Sequence, residues 1–426
     1  MINFEECLKA LFSLGGFMKT EKLKSIAKTY GTPLYLYDVS IIENQIKEYL
    51  DNFKSTDYET EVIYASKAFS IKEMIKIVKD NGVALDCVSL GELYTAKQVS
   101  FDMNKIYYHG NNKLAEELEM VINEDVGNIV VDNLMELEDI DLLTNKLKKY
   151  ANIHIRLNVG VEAHTHKYIV TSHIDSKFGV IYGSDDYQKI IQIINNNKRI
   201  NLLGFHCHIG SQILDMSAFS KALEKMIDYC EGFNYPLVLN VGGGFGVKYT
   251  KDDNPIPASL ISKQLIETTN KILKQRKVRI KKLCIEPGRS IVAEAGVTLY
   301  TVGNIKQTPN KLYYFIDGGM TDNIRPALYQ AKYECDIIGK ENEPKDNIVT
   351  IAGKCCESGD IIIENAMMPK ADKGDLLVVY TTGAYGYSMS SNYNKVLTPA
   401  VVFIKDGVAT EVVRRQSYQE LLIREK

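Results

Sequence analysis

The chain has 426 residues, more than one ordinary hydrophobic core accommodates, so two domains are expected. An apolar share of 45% and a charged share of 25% are those of a globular protein. A net charge of -3 offers no basic excess for nucleic acid or an anionic membrane surface, and no apolar run is long enough to span a bilayer.

Residues 1–19 carry Glu5 and Glu6 where a secretion signal wants positive charge, and read as an N-terminal extension. The cysteines Cys7, Cys87, Cys207, Cys230, Cys284, Cys335, Cys355 and Cys356 are scattered without a CxxC pair, which argues against a zinc ribbon and for reduced thiols in the cytoplasm. Pro33–Tyr37 is strand-like. From residue 38, short β-rich runs alternate with amphipathic stretches. The predicted strands are Val62–Ala65, Val83–Leu85, Ile106–Tyr108, Ile129–Val131, Ile153–Leu157, Leu202–Phe205, Leu237–Asn240 and Leu283–Ile285. Helical spacing falls between most of them, as in Ile71–Val78, Lys113–Ile122 and Leu134–Leu147. Strand–helix alternation implies a parallel sheet, and eight such units over about 250 residues predict an α/β fold, a TIM-like (β/α)8 barrel over 38–295. The longest gap holds a histidine-bearing insert, Gly160–Lys177; His164, His166 and His173 there read as a polar loop, since no carboxylate or cysteine completes a metal pattern. After residue 296 helical spacing nearly vanishes. Runs such as Val297–Val302, Tyr313–Ile316, Asn347–Ile351, Leu376–Tyr380 and Val401–Ile404 predict a mostly antiparallel β-barrel or sandwich domain, formed by 296–426 with 20–37.

In such a barrel the chemistry lies at the C-terminal strand ends. Those ends deliver Ser66-Lys67, Asp86, His109-Gly110-Asn111-Asn112, Arg156-Leu157-Asn158, His206-Cys207-His208-Ile209-Gly210-Ser211, Gly242-Gly243-Gly244 and Glu286-Pro287-Gly288-Arg289. Each has two readings. Lys67, among small and aromatic neighbours, is either a solvated surface lysine or one suited to a Schiff base. The three glycines are either a flexible turn or a loop whose backbone N–H groups approach a phosphate. Glu286 and Arg289 are either a structural ion pair or a ring-nitrogen partner beside an anion clamp. Of His206 and His208, one is expected to face the barrel mouth and the other to pack.

Taken together these motifs resemble the fold-type III pyridoxal-phosphate (PLP) decarboxylases, which include ornithine, arginine and diaminopimelate decarboxylases. The resemblance runs from about Pro33 to the C-terminal region. It implies that Lys67, in Tyr-Ala-Ser-Lys-Ala, carries PLP, and that His208 stacks on the ring. Ser211, Gly242, Gly243 and Gly244 match phosphate-binding positions, and Glu286 matches the partner of the ring nitrogen. Asp86, Gly288 and Arg289 join the cofactor set, with Arg289 also near substrate. Cys356-Glu357-Ser358-Gly359-Asp360 matches a cysteine motif that a partner subunit contributes, and Tyr385 in Gly-Ala-Tyr-Gly-Tyr matches a tyrosine that reaches the phosphate.

The run Asp317-Gly318-Gly319-Met320 followed by Arg325-Pro326-Ala327-Leu328-Tyr329 resembles the diaminopimelate branch, as do Ala163-His164-Thr165-His166 and Ser176-Lys177-Phe178-Gly179. This implies that meso-2,6-diaminopimelate is decarboxylated to L-lysine and CO2. Arg289, Arg325, Tyr329, Glu357 and Tyr385 would bind substrate, and Lys67, His208 and Cys356 would be catalytic. The implied assembly is a homodimer with shared sites, and no metal is implied. The rivals are decarboxylation of ornithine, arginine or carboxynorspermidine, and a catalytically inactive PLP-binding regulator. Leu90, Phe69 and Ser70 depart from the residues more usual in the family.

Overall fold

The computed structural model describes residues 20–161 and 176–426; the 1–19 extension and the insert histidines His164, His166 and His173 lie outside the described residues. The chain forms two compact units, one of residues 43–246 and 255–290, the other of 20–42, 247–254 and 291–426. The second unit begins with the helix Thr20–Tyr30 and strand β1 (Leu34–Asp38).

The first unit is a closed parallel barrel. Its strands are β2 (Glu59–Ala65), β3 (Ala84–Cys87), β4 (Ile106–Tyr108), β5 (Asn128–Val131), β6 (Ala151–Arg156), β7 (Ile200–His206), β8 (Leu237–Asn240) and β9 (Ile280–Ile285). Each pairs with the next, and β9 returns to β2 with Val62 opposite Ile285. Closure removes every free edge, so short strands suffice. Ile63, Ala84, Tyr107, Val130, Val238 and Cys284 fill the interior.

Between the strands run helices whose sequences explain their placement. In Lys72–Asp80, Met74, Ile75 and Val78 fall on one face at helical spacing and are buried. Helices Leu90–Gln98, Leu134–Leu147 and Asp185–Asn196 start at Ser89, Asn133 and Ser184, whose side chains accept the N–H of Glu92, Glu136 and Tyr187. These caps satisfy donors that the first helical turn leaves free and fix where each strand-to-helix loop ends.

The second unit is built on a nine-stranded sheet. Its further strands are β10 (Gly296–Gln307), β11 (Leu312–Ile316), β12 (Cys335–Ile337), β13 (Asn347–Ala352), β14 (Ile361–Met368), β15 (Leu376–Val379), β16 (Ala400–Lys405) and β17 (Val408–Val413). The main order is β14-β13-β11-β10-β1-β16-β17, with β15 pairing with both β10 and β12. Only β1–β16 and β11–β13 are parallel among these pairings; the others are antiparallel. The strand-like Pro33–Tyr37 run therefore sits inside this sheet, between β10 and β16. Its alternation explains why. Leu34 and Leu36 enter the core with Leu23, Val297, Leu299 and Val402, while Tyr35 and Tyr37 turn to the other face. There Tyr35 Oη donates to Asp322 O at 2.5 Å and Tyr37 Oη to Gly383 O at 2.9 Å.

One detail differs from the sequence expectation: Asp86, expected just past its strand, lies within β3, because the run continues to Cys87. After residue 296 the α-helices are short, Arg325–Tyr329 and Tyr418–Leu422, the first with Pro326 in its opening turn.

Candidate active site

In the barrel unit the strand ends converge on one buried carboxylate, Glu286, immediately after β9. Asn240, the last residue of β8, donates through Nδ2 to Glu286 Oε1 at 2.7 Å. His206, the last residue of β7, has Nε2 3.1 Å from Oε2. His109, just after β4, has Nε2 3.0 Å from Oε1, too oblique for a straight hydrogen bond. Its ring meets that of His206 edge-on at 4.8 Å. Burial disfavours charge on both partners. For Glu286 the facing imidazoles outweigh it and hold the carboxyl well below its usual range, whereas burial pushes His206 down to about 4. Near neutral pH this leaves an anionic carboxylate facing a neutral imidazole. Ligand atoms of these three residues lie within 4.8 Å of one another, and facing nitrogen–oxygen pairs account for the cluster.

The glycine run packs against this carboxylate. Gly242 N donates to Asn240 Oδ1 at 3.0 Å, and Glu286 N to Gly242 O at 2.9 Å. A Cβ on Gly243 would stand 2.0 Å from Glu286 O, so only glycine permits this approach. Gly243 N donates to Nδ1 of the half-buried His208 at 3.3 Å. His206 is buried at the end of β7, while His208, two residues beyond the strand, is half-buried. Burial first, then the nearby cations Lys67 and Arg156, push the His208 imidazole well below its usual range. Ser211 Oγ accepts from Arg289 Nη2 at 2.7 Å, bringing two donor side chains beside the glycine run. Gly288 approaches Ala65, where an added Cβ would come within 2.9 Å of its carbonyl.

Lys67 occupies a single 3-10 turn, Ser66–Ala68, directly after β2, and is exposed between buried Ser66 and Ala68. The turn is pinned by Tyr64, whose hydroxyl donates to Phe69 O at 2.9 Å. Asp86 is buried, and burial raises its carboxyl pKa; its Oδ1 has no hydrogen-bond partner among the described residues. The set fits PLP: an exposed lysine, a buried anion for the ring nitrogen, and a glycine run with Ser211 and Arg289 for the phosphate.

In the β unit, Arg325 is 6% exposed at the start of its helix. Its guanidinium lies 4.9, 5.6 and 5.8 Å from the rings of Tyr249, Tyr333 and Tyr385, and Nη1 donates to Tyr333 Oη. No carboxylate pairs with it among the described residues. Tyr329, on the same helix, and Tyr385, at a positive φ of 61°, are half-buried. Cys356 and Glu357 are exposed, and Glu357 accepts from Tyr393 Oη. Asp360 anchors their loop by accepting from Cys355 N at 2.8 Å and Met320 N at 2.6 Å.

Sequence reasoning assigned no role to His109 or Asn240, and left open which of His206 and His208 faces the barrel mouth. Their signal was position: each stands at or next to a barrel strand end. Arg156 and Asp132, 3.7 Å apart at neighbouring strand ends, are a further pair of this kind.

Residues 39–293 match the family of pyridoxal-dependent decarboxylases through its pyridoxal-binding domain. The chain is 47% identical to the diaminopimelate decarboxylase of Bacillus methanolicus over 397 residues, 92% of each chain. It is 45% identical to that of Bacillus subtilis over 403 residues, 93% of this chain and 92% of that one. The crystal structure of M. jannaschii diaminopimelate decarboxylase in complex with L-lysine superposes with a TM-score of 0.89 at 34% identity, covering 96% of this chain and 95% of that one.

Proposed function

The chain belongs to the pyridoxal-dependent decarboxylases, and within them we propose that it converts meso-2,6-diaminopimelate to L-lysine and CO2. The observation that carries the substrate reading is Arg325, a buried guanidinium surrounded by tyrosine rings with no carboxylate of its own among the described residues. A buried cation calls for an anion, and the planar fork of arginine suits a carboxylate bidentately. Diaminopimelate has a distal carboxylate; ornithine and lysine do not.

PLP, when bound, supplies the sink for the electrons of the breaking carbon–carboxylate bond. Lys67 would hold it through Nζ, the nitrogen that would also carry a proton for the reaction. Glu286 would keep a proton on the ring nitrogen, and His208 would restrain the ring. Asp86 would join the cofactor set. Ser211, Arg289 and the turns at Gly242–Gly244 and Gly288 would bind the phosphate with Tyr385. Tyr329 and Arg289 would join Arg325 around the substrate. Glu357 would read the distal ammonium. Cys356 Sγ would deliver the proton that replaces the lost carboxylate. Cys356 and Glu357 are exposed in the single chain, which supports a homodimer in which each copy completes the other's site. Among the described residues no helix is long and apolar enough to cross a membrane, which fits a cytoplasmic enzyme.

The test is lysine formation from meso-diaminopimelate by purified protein with added PLP, beside ornithine, arginine and lysine. Lysine from diaminopimelate alone is expected. Turnover of a substrate lacking the distal carboxylate would overturn the Arg325 reading, and PLP binding without turnover of any would favour a regulator.

A further inference from the structure

Glu286 is held by an unusual set of donors for a buried anion: among the described residues none is a lysine or arginine. A carboxylate offers about four lone-pair directions. Asn240 Nδ2 takes one on Oε1 at 2.7 Å, and His206 Nε2 faces Oε2 at 3.1 Å. His109 stands obliquely at 3.0 Å from Oε1, and its ring, 4.8 Å edge-on from that of His206, wedges the second imidazole in place. Among the described residues, Oε2 therefore keeps one direction open. His206 is 1% exposed, and its Nδ1 has no hydrogen-bond partner among the described residues. A proton there would leave a buried N–H without an acceptor, so the single ring proton belongs on Nε2, facing Glu286.

We propose that His206 is a positioning residue that acts as a neutral donor to Glu286, keeping the carboxylate anionic and oriented so that the open direction on Oε2 receives the ring N–H of PLP. This rests on the reading of Glu286 as the ring-nitrogen partner. The logic is electrostatic. A cationic donor would cancel the carboxylate charge that must hold the ring proton, while an apolar neighbour would leave the carboxylate free to turn or protonate. Asn240 fits the same pattern, because it too donates without adding charge.

Two measurements test it. In wild-type protein, 15N NMR of the histidines should show His206 neutral and protonated only on Nε2 from pH 6 to 8; an imidazolium signal for His206 overturns the proposal. With ring-15N-labelled PLP, wild type should show a protonated ring nitrogen. Folded His206→Ala should shift that signal towards the unprotonated position and bind PLP roughly 10- to 100-fold more weakly, as expected for loss of a hydrogen bond to a charged group. His206→Gln, which places a neutral N–H at similar reach, should restore most of both. A wild-type-like ring signal and PLP affinity in His206→Ala would sink the proposal. Absence of PLP binding or of a protonated ring nitrogen in wild type would instead sink the Glu286 reading beneath it.

Discussion

At the scale of single residues, two buried charges make opposite predictions. Arg325 lacks an acidic partner among the described residues, and in the proposed reading its guanidinium takes the distal carboxylate of the substrate. Arg325→Lys retains the charge but loses the fork. It should raise KM for diaminopimelate roughly 10- to 100-fold while PLP is retained, and unchanged KM would refute the assignment. Asp322 is the reverse case. It is 1% exposed and accepts Gly319 N at 2.9 Å, and burial lifts its carboxyl from 3.8 to about 7. A carboxyl raised in the folded state contributes fully below the unfolded pKa, and that contribution is lost as pH rises through the folded one. Wild type should therefore lose stability relative to Asp322→Asn, which cannot ionise, between about pH 4 and pH 7, by up to a few kcal/mol. Urea unfolding of both proteins at pH 5 and pH 8 measures this; a stability gap that does not change with pH would contradict it.

At the scale of elements, the loop that carries His109 is held by a buried ion pair. Lys113 and Glu136, each with a side chain 2% exposed, meet at 2.7 Å. Lys113 Nζ also donates to Gly110 O at 2.8 Å and Val130 O at 2.7 Å, tying the end of β4 to β5. Glu136 in turn accepts from Asp132 N at 3.0 Å. Burial pushes the Lys113 ammonium down and the Glu136 carboxyl up, so each needs the other to stay charged. Lys113→Met strands the carboxylate and should cost about 3–5 kcal/mol of unfolding free energy, most of it recovered in Lys113→Met/Glu136→Leu. A single variant as stable as wild type in urea would show that the pair does not support the loop.

At the scale of the whole molecule, the prediction concerns assembly. If Cys356 is delivered by a neighbouring copy, Lys67→Ala and Cys356→Ala are each inactive alone, yet their mixture rebuilds one intact site in every mixed dimer. Random subunit exchange should return up to about a quarter of wild-type activity, since about half the dimers are mixed and each has one good site of two. Mixed dimers that form without any regain would place Cys356 outside the neighbour's site.

The barrel was legible in the sequence because its information is local. Runs such as Ile129–Val131 and Leu237–Asn240 are long enough only for short strands, and the spacing in Leu134–Leu147 matches the observed helix end to end. The strand-end rule then identified Lys67, His208, Gly242–Gly244 and Glu286 as one group without a contact map. What the sequence could not contain is pairing across the closed sheet. Glu286 meets Asn240 and His206, 46 and 80 positions away, only because barrel closure sets β7, β8 and β9 side by side. Likewise Tyr249, Tyr333 and Tyr385 surround Arg325 from three separate segments. Periodicity decides which face of an element a side chain occupies, while the register between distant elements decides which charge it meets, and that register exists only in the folded chain.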